Sequence, residues 1–444
     1  MQHIRKVFGR VPLTKALLIR YAEKTDLSQC EMSCLCLVRL WAAISFITKA
    51  AVSVQQLPYP GVIIYMTGRN SFAVLALAAV LAFTGCGAAE DAAGGIKTNV
   101  GTESGSAAKA GVEARDKDIH ERTIFAMTTV MSFRVYHPDG EAILDQAEEE
   151  IRRIESIFST GDPESEISKL NAAGEGKLGG DAAQLLDRAL TIYEMTDGAF
   201  DISIYPVMKA WGFTELYDDE NLVEKENTPV DIPDAAVLAE AISHVDASRI
   251  ELNAQTGEVR LPEGSEIDLG GIAKGYAAQR VIELFEEKGV SSAMLDLGGN
   301  VQVLGTKPNG RDWKVGIRDP AGEHTVIGVI ACSDRAVVTS GGYERYITGK
   351  DGKTYHHIID PKTGYPAENG LVSVSIVCDD GALADGLSTA LYVLGTERAI
   401  ECWKEHADLF DAVLLTEDGK MYVTEGIEDA FASDIYDAEV IRRA

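Results

Sequence analysis

The chain has 444 residues, with 69 Asp/Glu against 41 Lys/Arg and a formal charge of −28. A surplus of that sign argues against nucleic acid or an anionic bilayer surface held by bulk attraction. Hydrophobic residues at 46 % and charged residues at 25 % are ordinary for a globular protein, and they exclude a mainly disordered, collagenous or multi-spanning chain.

The charge is uneven. Residues 1–65 hold eight basic and three acidic side chains and residues 66–86 only Arg69, so the remainder stands at −34. Segment 66–86 starts at Met66, carries Arg69, runs apolar from Ser71 to Phe83 and ends Thr84-Gly85-Cys86. That is the layout of a secretory signal, and it is too short to span a membrane. Its ending resembles a bacterial lipobox, so Cys86 is the expected lipidation site and mature N-terminus. Each buried methylene of its acyl chains adds about 0.8 kcal/mol of anchoring. Residues 1–65 precede a complete signal and read as an over-extended start. Residues 87–119, rich in Gly, Ala, Ser, Glu and Lys, read as a flexible tether. Residues 120–444 read as one large domain.

Within that domain the periodicities predict a strand at Met131–Tyr136 and helices at Glu141–Phe158, Gly180–Thr196 and Pro233–Ile242. Strands follow at Ile250–Asn253 and Glu258–Leu261, then a helix at Ile272–Lys288. Next come strands at Ser292–Leu297, Trp313–Ile317, His324–Ala331, Ala336–Thr339 and Leu371–Val377. Helices at Ala382–Leu394 and Thr396–Glu405 and a strand at Ala412–Leu415 close the chain. Clustering without regular βα alternation predicts an α+β fold. Cys332, Cys378 and Cys402 are odd in number, without metal-ligand spacing, and read as core thiols.

Three clusters could carry chemistry. In Ile267-Asp-Leu-Gly-Gly-Ile-Ala-Lys-Gly-Tyr276 a Gly-rich turn opens a helix, where backbone amides and Lys274 can meet an anion and Asp268 offers an acceptor. In Ala384-Asp-Gly-Leu-Ser-Thr389 the helical period puts Asp385 and Thr389 on one face, two oxygens suited to a hard cation such as Mg²⁺. In Tyr355-His-His-Ile-Ile-Asp-Pro-Lys-Thr-Gly-Tyr-Pro366 two adjacent histidines end a strand, so at most one faces a site, as base or stacking group. Read alone, each is equally a tight turn, a solvated pair or core filler.

Together these segments resemble the ApbE family of FAD:protein FMN transferases. The resemblance covers about residues 124–425 and also rests on Phe158–Asn171, Gly198-Ala-Phe-Asp201 with Trp211-Gly-Phe213, Leu297-Gly-Gly-Asn300, Gly316-Ile-Arg-Asp-Pro320 and Thr339-Ser-Gly341. It implies a T-fold-like α+β domain that uses FAD as substrate and Mg²⁺ as cofactor. It further implies transfer of FMN to a Thr or Ser hydroxyl of an extracytoplasmic redox protein, with release of AMP. By the same resemblance Asp385, Thr389 and the Gly271 carbonyl match metal ligands. Lys274, Asp268, Met127, Ala199, Phe200, Asp201, His357 and Ile359 match flavin-nucleotide positions, and His357, Asp385 and Lys274 are the expected catalytic groups. Mg²⁺-dependent FAD hydrolysis and plain flavin binding are the competing functions. The chain departs from the family pattern at Gly161, where an aromatic cover worth about 1 kcal/mol is missing, and at Thr128, in place of Gly or Asp, a change expected to be minor.

Overall fold

The computed structural model describes residues 118–216, 229–322 and 325–443. The signal, Cys86 and nearly all of the tether lie outside the described residues. Nine strands form the main sheet, in the order β1 (Ile119–Ala126), β2 (Thr129–Tyr136), β6 (Ala293–Leu297), β7 (Asn300–Leu304), β10 (Arg335–Ser340), β13 (Leu371–Cys378), β14 (Asp411–Thr416), β15 (Met421–Thr424) and β17 (Ala438–Ile441). All neighbours are antiparallel except β15 and β17.

Period-two alternation gives this sheet two cores. Ala336, Val338, Val374, Ile376, Ala412 and Leu414 face one way, into the main core. There they meet four helices: α1 (Gly140–Phe158), α3 (Gly180–Met195), α6 (Gly270–Glu287) and α7 (Gly381–His406). Val337, Val377, Val413 and Leu415 face the other way, onto Trp313, Val315 and Ile330 of the hairpin β8 (Trp313–Arg318) and β9 (Val326–Cys332). Helix α1 is buried along one stripe, Ile143, Ala147, Ile151, Ile154 and Phe158, the spacing its amphipathic sequence demands. A third, small apolar cluster joins α4 (Tyr205–Trp211) and α5 (Ala235–Ile242) to β11 (Tyr346–Thr348), next to its hairpin partner β12 (Thr354–His356).

The expected strands and helices are present, with ends shifted by a few residues, and the fold is α+β. Helix α7 carries Gly395 at φ 74°, ψ 172°, which is why the periodicity breaks there. Strand β1 was hidden because its pattern is mixed: it reads Ile-His-Glu-Arg-Thr-Ile-Phe-Ala, with the apolar Ile119 and Phe125 exposed and the polar His120 and Arg122 half-buried. The short α2 (Glu166–Ala173), β3 (Glu175–Lys177), β7 and β15 also escaped the pattern. Strand β3 pairs with β5 (Glu258–Arg260), which pairs with β4 (Glu251–Asn253). Cys332, Cys378 and Cys402 are buried free thiols.

Candidate active site

The site is organised where α6 and α7 touch. Gly275 and Gly381 are in contact through their main chains: a Cβ on either would run into the other's carbonyl oxygen. This proximity lets the Gly275 N–H donate to Asp385 Oδ2 at 2.8 Å. In a regular helix the Gly271 carbonyl is the one that faces the Gly275 amide, so it lies one turn from the carboxylate that this amide bonds. Asp385 is only 3 % exposed, and its Oδ1 lies 4.0 Å from Lys274 Nζ.

Thr389 follows Asp385 by one turn of α7, and its Oγ1 lies 3.4 Å from Ser340 Oγ at the end of β10. Ser340 in turn is 2.8 Å from Ser388 Oγ, which donates to the Asp385 carbonyl at 2.8 Å. The Asp385 carboxylate, the Thr389 hydroxyl and the Gly271 carbonyl are all hard oxygens on two adjoining turns. They fit a small divalent cation that keeps open positions for water and phosphate.

The turn into α6 works differently from an empty anion cradle. Asp268 Oδ1 accepts the Gly270 N–H at 2.8 Å, and the Ile272 and Ala273 amides close on the Leu269 carbonyl. That leaves Lys274 as the main attraction for a phosphate. Burial raises the Asp268 carboxyl pKa, opposed by the Gly270 N–H, Lys274 and Arg345. The same turn is pinned from outside by Asn171, whose side chain donates to the Ile267 carbonyl and accepts the Ile267 N–H, both at 2.8 Å.

His357 follows β12. Its backbone N–H and its Nδ1 both lie 3.1 Å from the Arg345 carbonyl. A carbonyl can only accept, so Nδ1 carries the proton and Nε2 presents a lone pair. Burial, then the charge of Arg345, pushes its pKa down to about 3. The histidine pair separates as strand geometry requires: His356 turns away, edge-on to the Tyr392 ring at 5.5 Å.

Arg345 also reaches the hairpin between β1 and β2, donating to Thr128 Oγ1 at 3.0 Å and to the Thr128 carbonyl at 3.3 Å. This brings Met127 to the same site, with its N–H bonded to Glu155 Oε1 at 2.5 Å.

Ala199 and Phe200 are in the main core, with the Phe200 ring against Gly271. They can offer a ligand main chain and a ring edge. The Asp201 carboxylate is turned into the protein, where Oδ1 accepts from Ser203 N and Oγ at 2.8 and 2.5 Å and Oδ2 accepts from Ala247 N at 3.3 Å. Burial raises its pKa. Ile359 packs with Val207 and Trp211 in the small apolar cluster, behind the loop that Trp211 Nε1 holds by donating to the Gly364 carbonyl at 2.7 Å.

Residues 127–414 match the model of the ApbE family. The chain belongs to the ApbE family. It is 33 % identical over 335 residues to an FAD:protein FMN transferase of Treponema pallidum, covering 70 % of this chain and 88 % of that one. To a namesake from Klebsiella pneumoniae it is 32 % identical over 308 residues, 68 % of this chain and 90 % of the other. The ApbE protein of Thermotoga maritima superposes with a TM-score of 0.63 at 30 % identity, over 70 % of this chain and 99 % of that one.

Against this ApbE frame, the sequence reading missed Arg345, Glu344, Asn171 and Ser340. Glu344 precedes Arg345 in the chain, and desolvation raises its pKa against the pull of Lys274, Arg318 and Arg345. An acid–base pair directly after Thr339-Ser-Gly-Gly-Tyr343 was the available signal for Glu344 and Arg345. The turn that carries the Thr128 departure is strained. Met127 and Thr128 have φ of 47° and 59°, and a β-branched residue in the left-handed region is a true outlier.

Proposed function

We propose that this chain transfers FMN from FAD to a Thr or Ser hydroxyl of an acceptor protein and releases AMP. The observation that supports the reading is that Lys274 Nζ lies 4.0 Å from the Asp385 carboxylate, which also accepts the Gly275 N–H across the two helices; a histidine whose Nδ1 proton is held by a carbonyl agrees with it. The names of the relatives agree with it.

The acceptor hydroxyl oxygen attacks the phosphorus of the FMN half of FAD. Its bond to that phosphorus forms as the bond from phosphorus to the bridging oxygen breaks, and AMP leaves with the bridging oxygen. His357 Nε2 accepts the hydroxyl proton; with a low pKa it is a weak base, and its main effect is to orient the hydroxyl. Lys274 binds the diphosphate and offsets its charge in a strongly acidic domain. Asp385, Thr389 and the Gly271 carbonyl would hold Mg²⁺, which when bound polarises the phosphoryl oxygens and stabilises the leaving group. Phe200 and the Met127 turn border the flavin side, and Asp201 and Asp268 keep their turns in shape.

The reading extends to location. The Met66–Cys86 signal and the Gly/Ala/Ser-rich segment after it support a lipid-anchored enzyme on the extracytoplasmic face of a bacterial membrane. There its partners are FAD and a redox protein bearing a Ser/Thr acceptor motif. Among the described residues no helix is long and apolar enough to cross a membrane.

The test is an intact-mass assay of an acceptor domain incubated with the full chain, FAD and Mg²⁺, with AMP and FMN quantified. An FMN adduct on the acceptor, absent with Asp385→Ala, is expected. Free FMN and AMP without adduct would replace the transferase with an FAD hydrolase, a balance to which the exposed, side-chain-free Gly161 lends weight. Unchanged bound FAD would leave a flavin-binding lipoprotein.

A further inference from the structure

Hairpin β1–β2 turns through only two residues, since Ala126 pairs with Thr129. A two-residue connection of this kind needs positive φ at both central positions, for which Asn-Gly or Gly-Gly is the usual solution. Here the residues are Met127 and Thr128, at φ 47° and 59°, a conformation unfavourable for both and most of all for a β-branched side chain. Such strain persists only when the surroundings over-determine it.

Two side chains do so. Glu155 Oε1 accepts the Met127 N–H at 2.5 Å, and the Arg345 guanidinium bonds both oxygens of Thr128. Arg345 lies 217 residues further along the chain. Its other end, the backbone carbonyl, fixes the tautomer and position of His357 through Nδ1 and the main-chain N–H, each at 3.1 Å.

We infer that Arg345 is a positioning residue that couples the strained Met127–Thr128 turn to His357, so that the Thr128 hydroxyl helps hold the histidine Nε2 in line with the acceptor. The inference rests on the proposed transfer reaction for its kinetic consequence, but its structural half does not. Anchoring the guanidinium at Thr128 restrains the backbone of residue 345, and that backbone holds the imidazole. Removing the anchor frees residue 345 to shift, and displacement of a reacting group by even about 1 Å costs on the order of 100-fold in rate. The charges of Arg345 and of Lys274 on α6, and the neighbouring His356, also act on the His357 imidazole, while its Nδ1 bonds the Arg345 carbonyl.

The experiment uses the full chain with ¹⁵N-labelled histidine and the variants Thr128→Val, Arg345→Ala and the pair. Thr128→Val keeps the β-branched shape and removes the shorter of the two bonds, that to Oγ1, leaving only the 3.3 Å bond to the carbonyl, so it weakens the anchor without the loss of packing that Arg345→Ala brings. In the unmodified protein His357 is expected wholly as the Nδ1–H tautomer. Both variants are expected to give a mixed tautomer signal and a kcat for FMN transfer lower by about 10- to 100-fold, with KM for FAD changed less than threefold. Because both remove one linkage, the double variant is expected to lose no more than Arg345→Ala alone. A single unshifted Nδ1–H signal in Thr128→Val, or fully multiplicative losses, would overturn the inference. The tautomer is read without turnover, so a failure of the transfer reading appears separately, as no adduct in the unmodified protein.

Discussion

Gly275→Ala tests the contact that sets α6 against Asp385 of α7. Helix propensity alone predicts stabilisation by about 1 kcal/mol for Gly→Ala inside a helix. The structure predicts the opposite sign. The new Cβ would stand 2.0 Å from the Gly381 carbonyl oxygen and 2.7 Å from Asp385 Cβ, where about 3.3 Å is the closest comfortable C···O approach. Helices α6 and α7 must then part by roughly 1.3 Å. Overpacking of that kind costs about 1–3 kcal/mol. The 2.8 Å bond from Gly275 N–H to the buried Asp385 carboxylate is lost as well, and hydrogen bonds to charged groups contribute about 1.5–3 kcal/mol. Against the propensity gain, the net loss is about 3 kcal/mol. Urea unfolding measures it, and FMN transfer by the folded fraction should fall about 100-fold as Asp385 and Thr389 on α7 move away from Gly271 and Lys274 on α6. Unchanged or increased stability with undiminished transfer would refute both the helix contact and the role given to Asp385.

Three further outcomes follow from particular groups. Lys274→Met should weaken FAD binding about tenfold or more, the loss of one charge-assisted contact to phosphate, as read by flavin fluorescence; undiminished affinity would remove Lys274 from the diphosphate site. For His357 the pH dependence has a definite sign: the unfolded histidine protonates near 6.5 while the folded one is pushed down to about 3. Between these values the unfolded state binds more protons, so its share of stability is complete above about pH 6.5 and is lost as pH falls toward 3. His357→Gln should therefore flatten the decline in urea midpoint between pH 7 and pH 5, and an equal decline in both proteins would count against the buried neutral imidazole. Burial pushes the thiols of Cys332, Cys378 and Cys402 up to about 11, 12 and 11, so none of the three should be alkylated at pH 8 until urea is added, as mass mapping of the labelled peptides will report.

Much of the site was legible because its signals are local. A Gly-rich turn that opens a helix, and an Asp and a Thr one helical turn apart, are statements about neighbours in sequence, and the backbone turns them directly into geometry. The histidine pair was legible in the same way, since alternation along a strand sends His356 and His357 to opposite sides. Asp201 marks the limit of that method: beside Gly198 and Phe200 a carboxylate looks available to a ligand, but Ser203 and Ala247 occupy it, and only the fold of the turn reveals this. Asn171 is the converse, an unremarkable residue at the end of a polar block that grips both backbone groups of Ile267, 96 positions away.

The sequence by itself determined which segments are helix and strand, the α+β class, and the residue types offered to phosphate and metal in the proposed reaction, because periodicity and turn chemistry are short-range properties. Tertiary structure decided what those residues do to each other. It set Gly275 against Gly381 so that the Gly275 amide could reach Asp385 across the two helices. It also joined Thr128 to His357 through the two ends of Arg345. Contacts of this sort depend on the packing of whole elements against a common sheet, and no spacing along the chain encodes the distance between two side chains 217 residues apart.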